Sequence, residues 1–291
     1  MYDIIIIGMG ISGITAGIYA KRANKKVLLI DKGMPGGLLN KIDKITNYPG
    51  LLDIDGASFA DALEKQVKSL DIPCVYETVN SISIDDNIKK VVTEKNTYET
   101  KKIILAMGRK PKYLGLDNEK DLLGKGVSTC ALCDALFYKN ENIAIVGTGN
   151  SALSEALYLS NIVNHIYLIN RRDGFRGDET LALEVKNNKK IEIIYNANIQ
   201  KINEENNKLT SITLDNGLTL NVKGVFIYVG YKPATEFVPK EILDKNGYVL
   251  VNEKLETPIK DVYAIGDIIK KDTYQLITAA ADGARVIINM K

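Results

Sequence analysis

Two cysteines with two residues between them, Cys130-Ala131-Leu132-Cys133, with Asp134 directly after, are the residues of this chain best suited to carry electrons on side chains. At the start of a helix such a pair can close a reactive disulfide, and the amides at the helix end lower the pKa of the thiolate released when it opens. A metal reading fails on ligand supply. A structural zinc needs about four ligands and an iron–sulfur cluster usually four thiolates, whereas the only other thiol and imidazole are Cys74 and His165. His165 opens a strand and reads as structural; Cys74, after Pro73 and before an apolar run, reads as an inert buried thiol. No metal is expected.

Two glycine-rich turns flank the pair. Gly8-x-Gly10-x-x-Gly13 follows the apolar run 4–7, and Gly147-x-Gly149-x-x-Ala152 follows the run 143–146. Each precedes a helix-like stretch and then returns to a strand, over 27–30 and 165–169. That context marks a dinucleotide-binding βαβ unit, in which glycines permit a tight turn and let backbone amides approach a pyrophosphate. Equal offsets in both copies indicate an internal duplication.

The residue ending the second strand of such a unit meets the adenosine ribose, and here the copies differ. The first arrives at Asp31, which can accept from a ribose 2'-hydroxyl; the second arrives at Asn170-Arg171-Arg172, whose guanidinium groups would neutralise a 2'-phosphate. Two different nucleotides are expected, the second being NADP. A hydride delivers its electron pair to one atom, while a disulfide opens by attack at sulfur, so an intermediary is required, and flavin is the usual one. FAD is therefore expected on the first turn, with electrons passing from NADPH to FAD, to Cys130–Cys133, to a partner.

The elements that must hold these groups follow from punctuation and periodicity. A turn-rich segment, Gly33-Met34-Pro35-Gly36-Gly37, leads to Asn47-Tyr48-Pro49-Gly50 and a helix-like run over 57–70. Alternating apolar residues predict antiparallel strands around 82–92 and Tyr98, and a buried strand over 103–106 ends at Met107-Gly108. Arg109-Lys110-Pro111-Lys112 reads as an exposed linker, and Tyr231-Lys232-Pro233, after a strand over 224–230, reads as the second linker, with no exposure assigned to it. A last strand over 262–265 runs into Gly266-Asp267, and a helix starts near Gln275. The expected class is α/β: two Rossmann-like three-layer dinucleotide-binding domains, a discontinuous one over 1–111 and 236–291, and an inserted one over 112–235 that carries the cysteines.

Composition agrees with that reading. A length of 291 residues suits two domains, and 38 Lys and Arg against 36 Asp and Glu leave a net charge of +2 without a polybasic block. Nothing there calls for nucleic acid or an anionic membrane. Without a charged leader or an apolar run near the roughly 20 residues that span a bilayer, a cytoplasmic protein is expected. Three cysteines cannot form a structural disulfide framework.

With its motifs in this order, the chain resembles the low-molecular-weight bacterial thioredoxin reductases, class II pyridine nucleotide-disulfide oxidoreductases, over essentially its whole length. The resemblance is carried by Asn47-Tyr48-Pro49-Gly50, the pentapeptide from Cys130 to Asp134, Gly147-Thr148-Gly149-Asn150-Ser151-Ala152, Asn170-Arg171-Arg172-Asp173-Gly174-Phe175-Arg176 and Ala264-Ile265-Gly266-Asp267. It implies an NADPH-dependent flavoenzyme that reduces the disulfide of thioredoxin, an NADPH domain inserted in an FAD domain, a homodimer, and a domain rotation hinged at the linkers. Cys133 would be the flavin-side sulfur, Cys130 the sulfur that attacks the partner, and Asp134 the proton donor. The resemblance assigns FAD to Gly8, Gly10, Ser12, Gly13, Asp31, Lys32, Gly36, Gly37, Leu38, Asn47, Val79, Ala106, Gly108, Gly266, Asp267, Gln275 and Leu276, with Asp267 on the ribityl chain. NADPH falls to Gly147, Gly149, Asn150 and Ser151, with Arg171, Arg172 and Arg176 around its 2'-phosphate.

Four positions depart from that family at expected cofactor contacts: Leu38 stands where it has glutamine, Met107 where it has threonine, Asn170 where it has histidine and Tyr274 where it has arginine. An altered flavin environment is expected. Relatives that draw electrons from ferredoxin lack the pyridine-nucleotide motifs present here. A glutaredoxin-like or peroxiredoxin-linked acceptor, and a non-catalytic flavin redox sensor, stay open at the level of sequence.

Overall fold

The uninterrupted apolar runs become the middle strands of parallel sheets, because a strand covered on both faces, in the second unit by helices on one and an antiparallel meander on the other, has no solvated side to reserve for polar residues. The computed structural model describes residues 1–42, 44–52, 54–84 and 88–290. It divides into one unit of Met1–Lys110 with Lys232–Lys291 and another of Pro111–Tyr231.

In the first unit, strand Tyr2–Ile7 lies between Val27–Asp31 and Thr97–Leu105, with Cys74–Tyr76 beyond Val27–Asp31. Val262–Ala264 pairs in parallel with residues 103–105. The amino-terminal half of Thr97–Leu105 instead pairs antiparallel with Lys89–Thr93, which pairs with Val79–Ile84. The helices of this unit are Ile11–Arg22, Gly56–Ser69 and Leu276–Asn289. Asp55 caps the second of them by accepting from the Ser58 N–H at 2.8 Å, and Gln275 caps the third through a reciprocal capping box with Thr278.

The second unit repeats this plan. Its parallel sheet runs Ile191–Tyr195, His165–Asn170, Asn142–Val146, Gly224–Ile227 and Val127–Ser128, and an antiparallel meander of Ile199–Glu205, Lys208–Leu214 and Thr219–Leu220 forms a separate sheet that shares an apolar core with it. Its helices are Ala131–Asp134, Asn150–Ser160 and Glu179–Asn187. The duplication read from the glycine offsets thus extends to sheet order and to the added meander.

Two local expectations need correction. The strand over 224–230 stops at Ile227, where its partner strand ends at Val146, and Gly230 at φ 102° then turns the chain. The segment expected as an exposed linker, Arg109–Pro111, is a half-buried strand, paired with the second linker, Tyr231–Pro233, in which Lys232 is exposed and Pro233 buried. Two chain crossings side by side satisfy each other's backbone: Lys112 N–H donates to Gly230 and Ala234 N–H to Gly108. His165 packs edge-on to Tyr167 and lies 3.4 Å from Glu192, and burial pushes the half-buried Cys74 thiol up. Both fit structural roles.

Candidate active site

The cysteines of the second unit are joined, Cys130 to Cys133, with Cα atoms 5.4 Å apart. Cys130 caps a one-turn helix, Ala131–Asp134, and its Sγ accepts from the Cys133 N–H at 3.2 Å. The Ser128 hydroxyl accepts from the Cys130 N–H at 3.0 Å and donates to the Cys130 carbonyl at 3.2 Å. Access to the two residues is unequal: Cys130 is 7% exposed, whereas Cys133 is open to solvent. Directly beyond the disulfide, Leu136 and Phe137 are 78% and 80% exposed, which the sequence pattern did not single out.

Glycines of the two turns separate into those the fold needs and those it does not. A Cβ on Gly8 would lie 2.4 Å from the Ala106 carbonyl, and one on Gly147 2.3 Å from that of Tyr228, both at positive φ. A Cβ on Gly13 would lie 1.9 Å from the Gly8 carbonyl. By contrast, a Cβ on Gly10 or Gly149 would meet nothing within 4 Å, and both backbones are extended, at φ −73° and −84°. Neither packing nor conformation demands glycine at these two positions, so the open space is what a closely approaching phosphate would use. Gly10→Ala and Gly149→Ala are therefore expected to fold with a Tm lowered by no more than about 4 °C. Each should weaken its own nucleotide at least about tenfold, some 1.4 kcal/mol, measured as flavin retention and as NADPH affinity respectively.

The arginine loop is folded back onto the second turn. Thr148 accepts through its carbonyl from both Arg176 and Gly177 N–H groups at 2.9 Å, and Asn150 Oδ1 accepts from the Asp178 N–H at 2.7 Å. Arg171, Arg172 and Arg176 are exposed, as are Asn150 and Ser151 at the head of helix Asn150–Ser160. Asn170, expected at a cofactor contact, is 3% exposed and spent on the loop: Oδ1 accepts from the Arg172 N–H at 3.1 Å, and Nδ2 donates to the Gly174 carbonyl at 2.9 Å. It shapes the arginines instead of facing solvent.

In the first unit, Asp31 ends its strand with Oδ2 accepting from the Met9 N–H at 2.6 Å and Oδ1 from the Gly33 N–H at 3.0 Å, fixing the carboxylate beside the Gly8–Gly13 turn. The Gly10 and Gly36 backbones bridge, bringing the Gly36-Gly37-Leu38 segment to that turn, and Lys32 is exposed. Asn47 and Gln275, far apart in sequence, meet at 3.1 Å, with Leu276 half-buried at the helix start. Ser12 is buried against Gly266, whose Cβ would lie 2.5 Å from the Ser12 hydroxyl. Ala106 is buried at the end of its strand, Gly108 sits at φ 63°, and Val79 is half-buried at the start of the meander.

Asp267 belongs to a cluster that sequence spacing did not reveal. Its Oδ2 pairs with Arg109 at 2.8 Å, Lys271 stands 3.8 Å from its Oδ1, and Lys271 also pairs with buried Asp282 at 2.8 Å. Asp282 in turn accepts from the Gly266 N–H at 3.2 Å. Tyr274 stacks on the Arg109 guanidinium at 4.0 Å, and burial together with a hydrogen bond to Tyr248 pushes its phenol up to about 12. Asp267 Oδ1 is buried without a hydrogen bond, an arrangement that costs stability unless a donor arrives. A ribityl hydroxyl would supply that donor, so the residues present fit FAD. Among the described residues, no group of three or more His, Cys, Asp or Glu could hold a metal.

Two Rossmann-like units, one of them bearing a closed Cys-x-x-Cys disulfide, define a dinucleotide-dependent disulfide oxidoreductase. The chain belongs to the pyridine nucleotide-disulphide oxidoreductase family, whose model matches residues 2–284. It is 33% identical over 290 residues to the thioredoxin reductase of Bacillus subtilis, covering 98% of this chain and 92% of that protein. The solved thioredoxin reductase of Lactococcus lactis superposes with a TM-score of 0.93 at 34% identity, over 99% of this chain and 97% of that one. A ferredoxin-flavin thioredoxin reductase from Clostridium acetobutylicum superposes with a TM-score of 0.55 at 31% identity, over 99% and 96%.

Proposed function

We propose that the protein is an NADPH-dependent flavoenzyme that reduces the disulfide of a thioredoxin through FAD and the Cys130–Cys133 pair. The observation that carries this reading is the second unit's combination of a closed disulfide with an open glycine turn bordered by three exposed arginines. Those arginines favour NADPH over ferredoxin as donor, despite the likeness to the clostridial enzyme, because a protein donor has no 2'-phosphate to neutralise.

Gly10, Asp31, Asn47, Asp267 and Gln275 would hold FAD, with Asp267 Oδ1 accepting from its ribityl chain. FAD, when bound, takes the electron pair of NADPH and passes it to the disulfide. Gly149 and the amides behind it receive the NADPH pyrophosphate, while Arg171, Arg172 and Arg176 receive the 2'-phosphate. Reduction leaves two thiols. Cys130, deprotonated, attacks one sulfur of the partner disulfide, Asp134 supplies a proton to the departing thiolate, and Cys133 then displaces the partner by closing the original disulfide. Since Cys130 is the buried member of the pair here, this division of labour requires that it be uncovered before the partner is attacked. The protein acts as a homodimer in the cytoplasm in this reading, and among the described residues no helix is long and apolar enough to cross a membrane.

Leu136 and Phe137 give the partner an apolar foothold beside the disulfide. Phe137→Ser should raise the KM for thioredoxin about tenfold to a hundredfold, the worth of one buried aromatic side chain, while steady-state NADPH affinity stays unchanged; an unaltered KM removes Phe137 from the docking face.

Anaerobic titration tests the whole reading. Adding NADPH to the FAD-loaded protein should bleach the flavin absorbance, and oxidised thioredoxin should restore it. Bleaching by reduced ferredoxin and not by NADPH would overturn the donor, and recovery with a glutaredoxin-like carrier alone would overturn the acceptor. Bleaching with no recovery by any disulfide protein would favour a redox sensor.

A further inference from the structure

Tyr228 ties the redox helix to the sheet beneath it. Its N–H donates to the Val146 carbonyl at 2.8 Å, and its own carbonyl lies under the Gly147 turn, 2.3 Å from where a Cβ on that glycine would sit. Its phenol oxygen accepts from the Ala131 N–H at 2.9 Å. Ala131 is fully buried, follows Cys130 directly and opens the helix that spans the disulfide. The Tyr228 ring packs on the same apolar cluster as Ala131, Ala135, Tyr138 and Phe226. Cys130 is thus held from both sides along the backbone: by Ser128 at its own N–H, and by Tyr228 at the amide that follows.

We propose that Tyr228 is a positioning residue for the disulfide, its hydroxyl fixing Cys130 in closing distance of Cys133 and so setting how readily the pair is reduced. This rests on the reading of Cys130–Cys133 as the redox pair. The physical basis is effective concentration. Two thiols close a disulfide more readily when the backbone already holds them together, and freeing the Ala131 amide lets the Cys130 backbone move away once the bond has opened. The equilibrium then shifts toward the dithiol. Burial, with Glu155 adding to it, pushes the Tyr228 phenol up, so its oxygen stays a neutral hydroxyl. Ala131 keeps the same partner throughout the working pH range.

The test is a thiol–disulfide equilibrium on the full chain. Protein is mixed with reduced and oxidised dithiothreitol at set ratios, quenched with an alkylating reagent and weighed by mass spectrometry. In each exchange the protein S–S bond breaks and gains two S–H groups, while the reagent loses two and closes its own S–S bond. Tyr228→Phe should shift this equilibrium constant about three- to tenfold toward the dithiol, the worth of one hydrogen bond. Tyr138→Phe removes a phenol from the same cluster, leaves Ala131 alone, and should leave the constant unchanged. An unshifted Tyr228→Phe, or an equal shift in both variants, overturns the proposal. A wild-type pair that does not titrate at all sinks the redox reading instead. Should Tyr228→Phe fail to fold, amide exchange on the unmodified chain decides: slow exchange at Ala131 in both redox states supports the anchor, and free exchange at that amide overturns it.

Discussion

Cys130→Ser and Cys133→Ser are each expected to drop NADPH-driven thioredoxin reduction to the background rate while leaving flavin bleaching by NADPH intact. The electron pair reaches FAD before it meets the disulfide, so removing either sulfur cuts the path downstream only. Stopped-flow absorbance reads the bleaching, and thiol appearance on thioredoxin reads turnover. Loss of bleaching in both variants would reverse the proposed order. The same variants separate the roles of the two sulfurs. Offered a single-cysteine thioredoxin carried as its aryl mixed disulfide, Cys133→Ser should attack through Cys130, release the aryl thiolate and trap a stable protein–protein disulfide; Cys130→Ser should trap little. Because Cys133 is the exposed residue in this structure, faster trapping by Cys130→Ser would exchange the two roles.

The second large effect lies at the nucleotide. Replacing Arg171 and Arg172 together by alanine should lower the preference for NADPH over NADH by about 2 to 4 kcal/mol, the value of two hydrogen bonds to a charged group. That corresponds to about thirtyfold to a thousandfold in the ratio of kcat/KM values. NADH itself should be used nearly as before, since Gly149 and the loop backbone, pinned by Thr148 and Asn170, are untouched. An unchanged ratio would mean that these side chains do not read the phosphate. Asn170→Ala offers a contrast. It removes the side chain that organises the loop, so both nucleotides should weaken together.

The chemistry of the site was legible from residue order alone wherever the relevant contacts are local. Each glycine turn follows a buried strand and heads a helix, so spacing within one βαβ unit specifies which residue meets which part of a nucleotide. The Cys-x-x-Cys pair likewise closes within one helical turn. The insertion of one unit in the other could be read because both strand-and-glycine patterns are continuous in sequence, and the last strand, Val262–Ala264, does pair in parallel with residues 103–105.

Tertiary structure alone decided what depends on residues distant in sequence arriving at one place. Arg109, which precedes the inserted unit in sequence, meets Asp267 and Tyr274, which follow it, and no periodicity encodes that meeting. Asn170 appeared as an altered cofactor contact, yet burial turns its amide inward to the loop. The paired connecting strands were hidden because short Arg-Lys-Pro and Tyr-Lys-Pro segments carry no strand pattern; only their adjacency supplies the missing backbone partners. Tyr228 shows the same limit, for its hydroxyl reaches Ala131 from the end of a neighbouring strand that lies 97 residues away in sequence. Sequence determines local geometry through backbone sterics and spacing, whereas the pairing of remote polar groups follows from how the sheets stack the chain.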